Sequence, residues 1–178
     1  ALVGNCGVGF APCLPERRDI LVALMEGVED LPEVVLTEGL PWTWQSFPEF
    51  LDVLGARRFD MDIATQVPHA ALRIHVMGQR AADHEPANGA DRAEMARLAA
   101  EAVRAGALGF STSRALAHRT LDGRHTPTLR AEEQELAEIG RALGGVGAGW
   151  LQVISDFDDP GAEFAMLRRV AEAAGRPM

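Results

Sequence analysis

Short apolar runs alternate with amphipathic stretches along the whole chain, and this alternation limits the fold more than any single motif does. Residues 1–3, 61–67, 107–111 and 150–155 are short, rich in apolar or small residues, and read as strands. Clean period-two alternation is not required of them, because a strand covered on both faces need not show it. Between them lie helical patterns. Ile20, Leu21, Leu24 and Met25 form a stripe after Pro15, and Phe50, Leu51 and Leu54 form one after Ser46, whose partner Glu49 completes a capping box. Residues 70–77 read as a short helix. Met95, Leu98, Ala99, Ala102 and Val103 mark the clearest helix, closed by Gly106. A helix from Thr128 turns Leu136, Ile139 and Leu143 inward and ends at residues 144–149. The last, capped by Asp159 with Pro160 in its first turn, turns Phe164, Leu167, Val170 and Ala171 inward. Residues 31–44 read as loop with a short extended piece at 34–36, and residues 80–89 as polar linker.

Strands separated by helices call for a parallel α/β sheet. An open doubly wound sheet and a slice of a (β/α)8 barrel predict the same local pattern. Cys6, His69, Ser111 to Ser113 and Ser155-Asp156 each follow an inferred strand. Barrel active sites are assembled at those strand ends, which favours the barrel. Neither glycine-rich nucleotide motif, G-x-G-x-x-G or G-x-x-x-x-G-K-S/T, occurs.

The chain has 178 residues, 17 basic and 26 acidic, for a net charge of −9. With no Lys/Arg block to neutralise phosphates, nucleic acid is not an expected partner. No apolar run approaches the roughly eighteen residues of a membrane helix, so no membrane role is expected. Cys6 and Cys13 are too few for a disulfide framework, and a reducing, cytoplasmic compartment is the simpler expectation. The first residue is Ala, and the apolar start runs directly into VGNCG. Residues 1–178 are therefore expected to be an internal segment of a longer protein.

Several residues can carry chemistry, each beside a plainer role. Cys6, between glycines in VGNCGVG, suits Zn²⁺ as a thiolate ligand, although an isolated cysteine is more often a buried hydrophobe. His69 can hydrogen-bond substrate, act as acid or base, or satisfy a loop carbonyl. Arg73, four residues on, shares its helical face and can meet a carboxylate, or form a salt bridge in solvent. Ser111, Thr112 and Ser113 can donate to an acyl oxygen or carboxylate, or cap a turn. Asp156 can ligate metal, act as base, or serve the following helix. His118 and His125, seven apart, match no standard metal spacing and lie in a lid or surface loop. His84 reads as exposed. Trp42 and Trp44 wall a pocket or close the helical shell.

Taken together, GNCGVGFAPC, QVPHAALRIHVMG and EAVRAGALGFSTS resemble the D-aminoacylase branch of the amidohydrolase superfamily, the N-acyl-D-amino-acid deacylases, over nearly the whole chain in the same order. The resemblance implies a metal-dependent hydrolase on a (β/α)8 barrel, of which this chain supplies approximately strands two to five. It implies that Cys6 is a zinc ligand, that the substrate is a small N-acyl amino acid, and that a metal-activated water cleaves the amide. His69, Arg73, Ser111 and Ser113 are the expected substrate-binding residues. The family's His-x-His pair and catalytic aspartate are expected outside residues 1–178. WLQVISDFDD occupies the fifth-strand place without the family's histidine, so either Asp156 or Gln152 substitutes for it or the metal site is arranged differently. An isolated segment is expected to be inactive, with open sheet edges that invite self-association. Two other readings are another amidase on this scaffold and a non-catalytic α/β binding protein that has lost its metal.

Overall fold

The computed structural model describes all 178 residues. Five short strands, β1 (Leu2–Val3), β2 (Ala64–Thr65), β3 (Val67–Pro68), β4 (Gly109–Arg114) and β5 (Trp150–Ser155), alternate with eight helices. The helices are α1 (Arg18–Glu29), α2 (Glu33–Gly39), α3 (Phe47–Gly55), α4 (His69–Met77), α5 (Gln79–Ala82), α6 (Gly89–Ala105), α7 (Glu133–Val146) and α8 (Pro160–Ala174). Strand β1 pairs with β2, β3 with β4 and β4 with β5, always in parallel. Gln66 alone separates β2 from β3, so the two sheets follow one another as four staves of an unclosed barrel wall. The expected parallel α/β architecture is present.

The two faces of this wall differ in chemistry. Side chains alternate along a strand, and the register sets Ser111 opposite Gln152 and Phe110 opposite Leu151. Val67, Phe110 and Leu151 point to the helix layer and are almost fully buried, with Leu72, Met95, Ile139 and Leu143 packed in the same core. Burying each such side chain contributes about 1.5–3 kcal/mol. The opposite face carries Gln66, Ser111, Ser113 and Gln152, and a tight turn at Asn5–Gly7 lies over it.

Several helix ends follow from local chemistry. Ser46 Oγ accepts from the Glu49 N–H while Glu49 accepts from the Ser46 N–H. Asn88 and Asp91 form a second capping box on α6 that the sequence reading missed. Asp159 caps α8 through the Ala162 N–H.

The structure corrects some boundaries. Residues 33–39, read as loop with an extended piece, form α2; Pro32 and Gly39 frame that helix rather than break it, and the exposed Val34 and Val35 left no apolar stripe to see. Residues 79–82 of the polar linker form a short helix. Ser111 to Ser113 lie within β4, not after it. Helix α7 starts at Glu133 rather than Thr128, and it runs through Gly144 and Gly145. A Cβ at position 144 would stand 2.2 Å from the Ala174 oxygen, so this glycine serves the close packing of α8 and not a helix stop. Phe164, expected inward, is 64% exposed and lies beside Phe157, with ring centroids 5.0 Å apart. Trp42 stacks on Trp44, and Trp44 packs on Phe50 of α3, which puts both in the helical shell. No helix is long and apolar enough to cross a membrane.

Candidate functional site

The turn after β1 holds three left-handed residues: Gly4 at φ +78°, Cys6 at φ +56° and Gly7 at φ +73°. Glycine is required on both sides. A Cβ on Gly4 would approach Gln66 O to 2.4 Å, and one on Gly7 would approach Ser113 N to 2.8 Å. Cys6 has a Cβ and still adopts this conformation, at a cost of about 1–2 kcal/mol, so its surroundings must hold it there. Ser111 does much of this. Its hydroxyl accepts the Gly7 N–H at 3.1 Å and donates to the Gly4 carbonyl. Gln152 Oε1 accepts the Cys6 N–H at 2.9 Å. Beside them Gln66 donates to Asn5 Oδ1 at 2.7 Å and accepts from Trp150 Nε1 at 2.8 Å. A cavity of about 300 Å³ opens alongside, lined by Asn5, Val8, Phe10, Gln66 and Pro68 among others.

The Cys6 thiol is half-buried. Burial raises its pKa, and the Glu29 carboxylate adds to this against a hydrogen bond from Gln152. As a protonated thiol it is a poor nucleophile; a bound cation is what would ionise it. As a metal donor it is a soft, strand-end sulfur of the kind zinc takes. It stands alone, however, since no three His, Cys, Asp or Glu side chains gather into a ligand group. These residues do not compose a zinc site by themselves.

Asp156 is exposed and accepts the Leu116 N–H at 2.6 Å, which ties the β4–α7 connection to the end of β5. Gln152, not Asp156, is the fifth-strand side chain in contact with the Cys6 turn.

His69 and Arg73 lie on the helix side of the sheet. His69 is fully buried; its Nδ1 lies 2.8 Å from Thr112 Oγ1 and its Nε2 lies 2.6 Å from Glu135 Oε1. Arg73 donates through one nitrogen to both Glu135 oxygens, at 2.6 and 2.5 Å, and through the other to the Glu85 carbonyl. Burial alone would raise the Glu135 carboxyl, but the His69 hydrogen bond and the Arg73 guanidinium hold it below the usual carboxylate range. Burial also lowers the His69 pKa, so the ring is neutral. Glu135 is ionised and accepts only, so Nε2 carries the hydrogen and the Thr112 hydroxyl donates to Nδ1. One anion, one cation and a neutral ring then close the group without residual charge. All the ring nitrogens and both terminal guanidinium nitrogens are engaged with protein.

Ser111 and Ser113 are likewise buried and engaged. Ser113 Oγ accepts from the Ala115 N–H and lies 2.8 Å from His118 Nδ1, while its carbonyl accepts from Thr128 Oγ1. The structure thus brings Cys6 together with Ser111 and Gln152, brings His69 together with Arg73, and leaves Asp156 apart from both groups. The sequence reading missed Glu135. Its signal was available: Glu135, Ile139 and Leu143 share a four-residue spacing, so a carboxylate sits on the buried stripe of α7. His84, read as exposed, is half-buried.

The model of the Amidohydrolase family matches residues 1–178. The chain is 32% identical over 148 residues to a D-aminoacylase of Alcaligenes xylosoxydans xylosoxydans, covering 82% of this chain and 25% of that protein. It is 31% identical, with 83% and 25% coverage, to an N-acyl-D-glutamate deacylase of the same organism. The chain therefore spans about a quarter of the length of these curated relatives. Among solved structures, a D-aminoacylase that defines a novel subset of amidohydrolases superposes with a TM-score of 0.71 at 24% identity, over 99% of this chain and 32% of that one. An N-acyl-D-glutamate deacylase from Bordetella bronchiseptica, complexed with zinc and a phosphonate mimic of the tetrahedral intermediate, gives 0.70 at 24% identity over 98% and 32%. At that identity the two structures speak to the fold.

Proposed function

Because this chain belongs to the amidohydrolase family, in its D-aminoacylase branch, we propose that it is part of the barrel wall of a longer enzyme that hydrolyses the amide bond of N-acyl-D-amino acids. The observation that carries the reading is the Cys6 turn, in which two glycines and the Ser111 hydroxyl hold a strained cysteine over the polar face of the sheet. Cys6 is the one donor of this segment suited to the metal, and the remaining ligands belong to other parts of the enzyme. The zinc in the Bordetella deacylase complex supports that choice of metal. Zinc in such a site supplies a water of lowered pKa and a Lewis acid for the amide carbonyl.

The segment's own residues act by position. Ser111 and Gln152 fix the backbone of the Cys6 turn from below. Ser113 fixes the loop after β4. His69 and Arg73, through Glu135 and Thr112, lock α4, α7 and β4 so that the two serines stay in register. Isolated from the rest, the segment is inactive and self-associates through its open strand edges. Its two free cysteines support a reducing compartment such as the cytoplasm.

The test is made on the full-length protein: metal analysis, then turnover of N-acetyl-D-amino acids beside their L-forms. Bound zinc that falls on Cys6→Ala substitution, with hydrolysis of the D-form, is the expected result. A full-length protein that holds no metal and hydrolyses neither form would overturn the reading.

A further inference from the structure

The imidazole with a free nitrogen at the strand ends belongs to His118. Its backbone N–H bonds the Ala115 carbonyl and its carbonyl accepts the Thr126 N–H. Its Nδ1 lies 2.8 Å from Ser113 Oγ. Nε2 alone has no protein partner, and it is not among the buried unpaired atoms, so it reaches the surface. The loop that carries it is anchored on three sides. Leu116 is held by Asp156 at the end of β5. Thr128 is held by the Ser113 carbonyl on β4. Thr120 rests on α1 at Gly27, where a Cβ would stand 2.4 Å from the Thr120 Cα.

The tautomer follows from Ser113. Its buried hydroxyl already accepts from the Ala115 N–H, and Nδ1 of His118 is the only acceptor in reach of its proton. A buried hydroxyl proton finds a partner, so Ser113 donates to Nδ1 and the neutral ring carries its hydrogen on Nε2. His118 is therefore a hydrogen-bond donor. Ser113 and Ser111 are two apart on β4 and share the polar face, about 7 Å from each other. One holds the Cys6 turn and the other aims His118 from the same side of the sheet.

We propose that His118 contacts substrate directly, its Nε2–H donating to the carboxylate of an anionic N-acyl amino acid, with Ser113 as its positioning residue. This rests on the function proposed above and adds the group that reads the acid. The loop suits an anion, since Arg119, next to His118, meets only the Leu116 and Gly123 carbonyls and has no carboxylate partner, whereas Arg124 is paired with Asp122.

Calorimetric binding of N-acetyl-D-leucine and of its carboxylate-free counterpart, N-(3-methylbutyl)acetamide, to the full-length protein tests this beside a turnover assay. His118→Asn keeps an amide for Ser113 but cannot reach the Nε2 position. It is expected to weaken binding of the acid by about tenfold or more, the size of a lost charge-assisted hydrogen bond, and to leave the amide unchanged. His118→Gln, which restores a donor near Nε2, recovers most of the loss; a merely structural role would not produce that pattern. Equal weakening of both ligands, or of neither, overturns the proposal even where the protein deacylates. Binding of the acid that depends on His118 in a protein without turnover upholds it and removes the deacylase reading instead. Failure of the wild-type protein to bind the acid removes both.

Discussion

Glu135 Oε1 lies 2.6 Å from His69 Nε2, in a place where the two side chains are 1% and 0% exposed. The contact joins α7 to α4, which are 66 residues apart in sequence, and Arg73 completes it from the same face of α4. Replacing Glu135 by Gln leaves a buried guanidinium without its counter-charge. Breaking such a pair from one side costs about 3–5 kcal/mol. Urea denaturation is expected to show a loss of that order, and a loss below about 1 kcal/mol would mean that the group is solvated after all.

The same group makes stability depend on pH in one direction. His69 has its pKa lowered by burial from the ordinary 6.5, so below that value the unfolded chain takes up a proton that the folded chain refuses. Glu135 is held below its ordinary 4.5, and its contribution is complete above the unfolded value and fades as pH falls below it. Stability is therefore expected to decline on acidification below about pH 6.5 and more steeply below about 4.5. Urea midpoints measured from pH 7.5 down to 4 check this. A His69→Asn variant is expected to flatten the upper part of the curve.

The two cysteines are expected to differ in reactivity. Cys13 is buried, and burial raises its thiol pKa to about 11, with the charges of Glu16 and Asp19 set against that of Arg18. Cys6 is half-buried at the polar face of the sheet. Brief alkylation by iodoacetamide followed by peptide mass spectrometry should find the label on Cys6 first. Equal labelling of both would contradict the packing around Cys13.

Removing the Ser111 hydroxyl deprives two backbone groups, the partly buried Gly4 carbonyl and the buried Gly7 N–H, of their partner. The Ser111→Ala variant should lose about 1–3 kcal/mol. It should also label faster at Cys6, because the strained turn is then free to relax. Unchanged labelling would show that Gln152 and the glycines hold the turn without the serine.

Gly27→Ala separates the loop from the body of the protein. The added methyl meets the Thr120 backbone, which cannot yield as a flexible side chain would. Limited proteolysis is expected to speed up within residues 115–127 while α6 and α7 remain protected. Cleavage spread evenly over the chain would indicate global unfolding instead.

Much of the architecture was legible because periodicity reports burial directly. The stripes of α1, α3 and α6 follow from it, and the four strand positions from the short apolar or small-residue runs between the helices. Helix α2 was not legible, since only Leu36 of its seven residues is buried and two adjacent valines look extended. The extent of β4 was missed because Ser111, Thr112 and Ser113 look like a loop, whereas each hydroxyl has a partner that makes its burial affordable to the fold. At the site, the GNCG motif marked the Cys6 turn. Arg73 meets a carboxylate, but one buried on α7 and not a solvent-exposed partner. Which carboxylate was a long-range fact. Neither the burial of His69 nor the freedom of His118 shows locally, because each depends on what a distant element offers.

Along the sheet, the aliphatic and aromatic residues that hold the helices point one way and the serines and glutamines point the other. Changes on the polar side can therefore re-aim a loop or admit a different guest while the oily layer behind stays as it was. A wall built in this manner can acquire new chemistry one hydroxyl or amide at a time without being refolded.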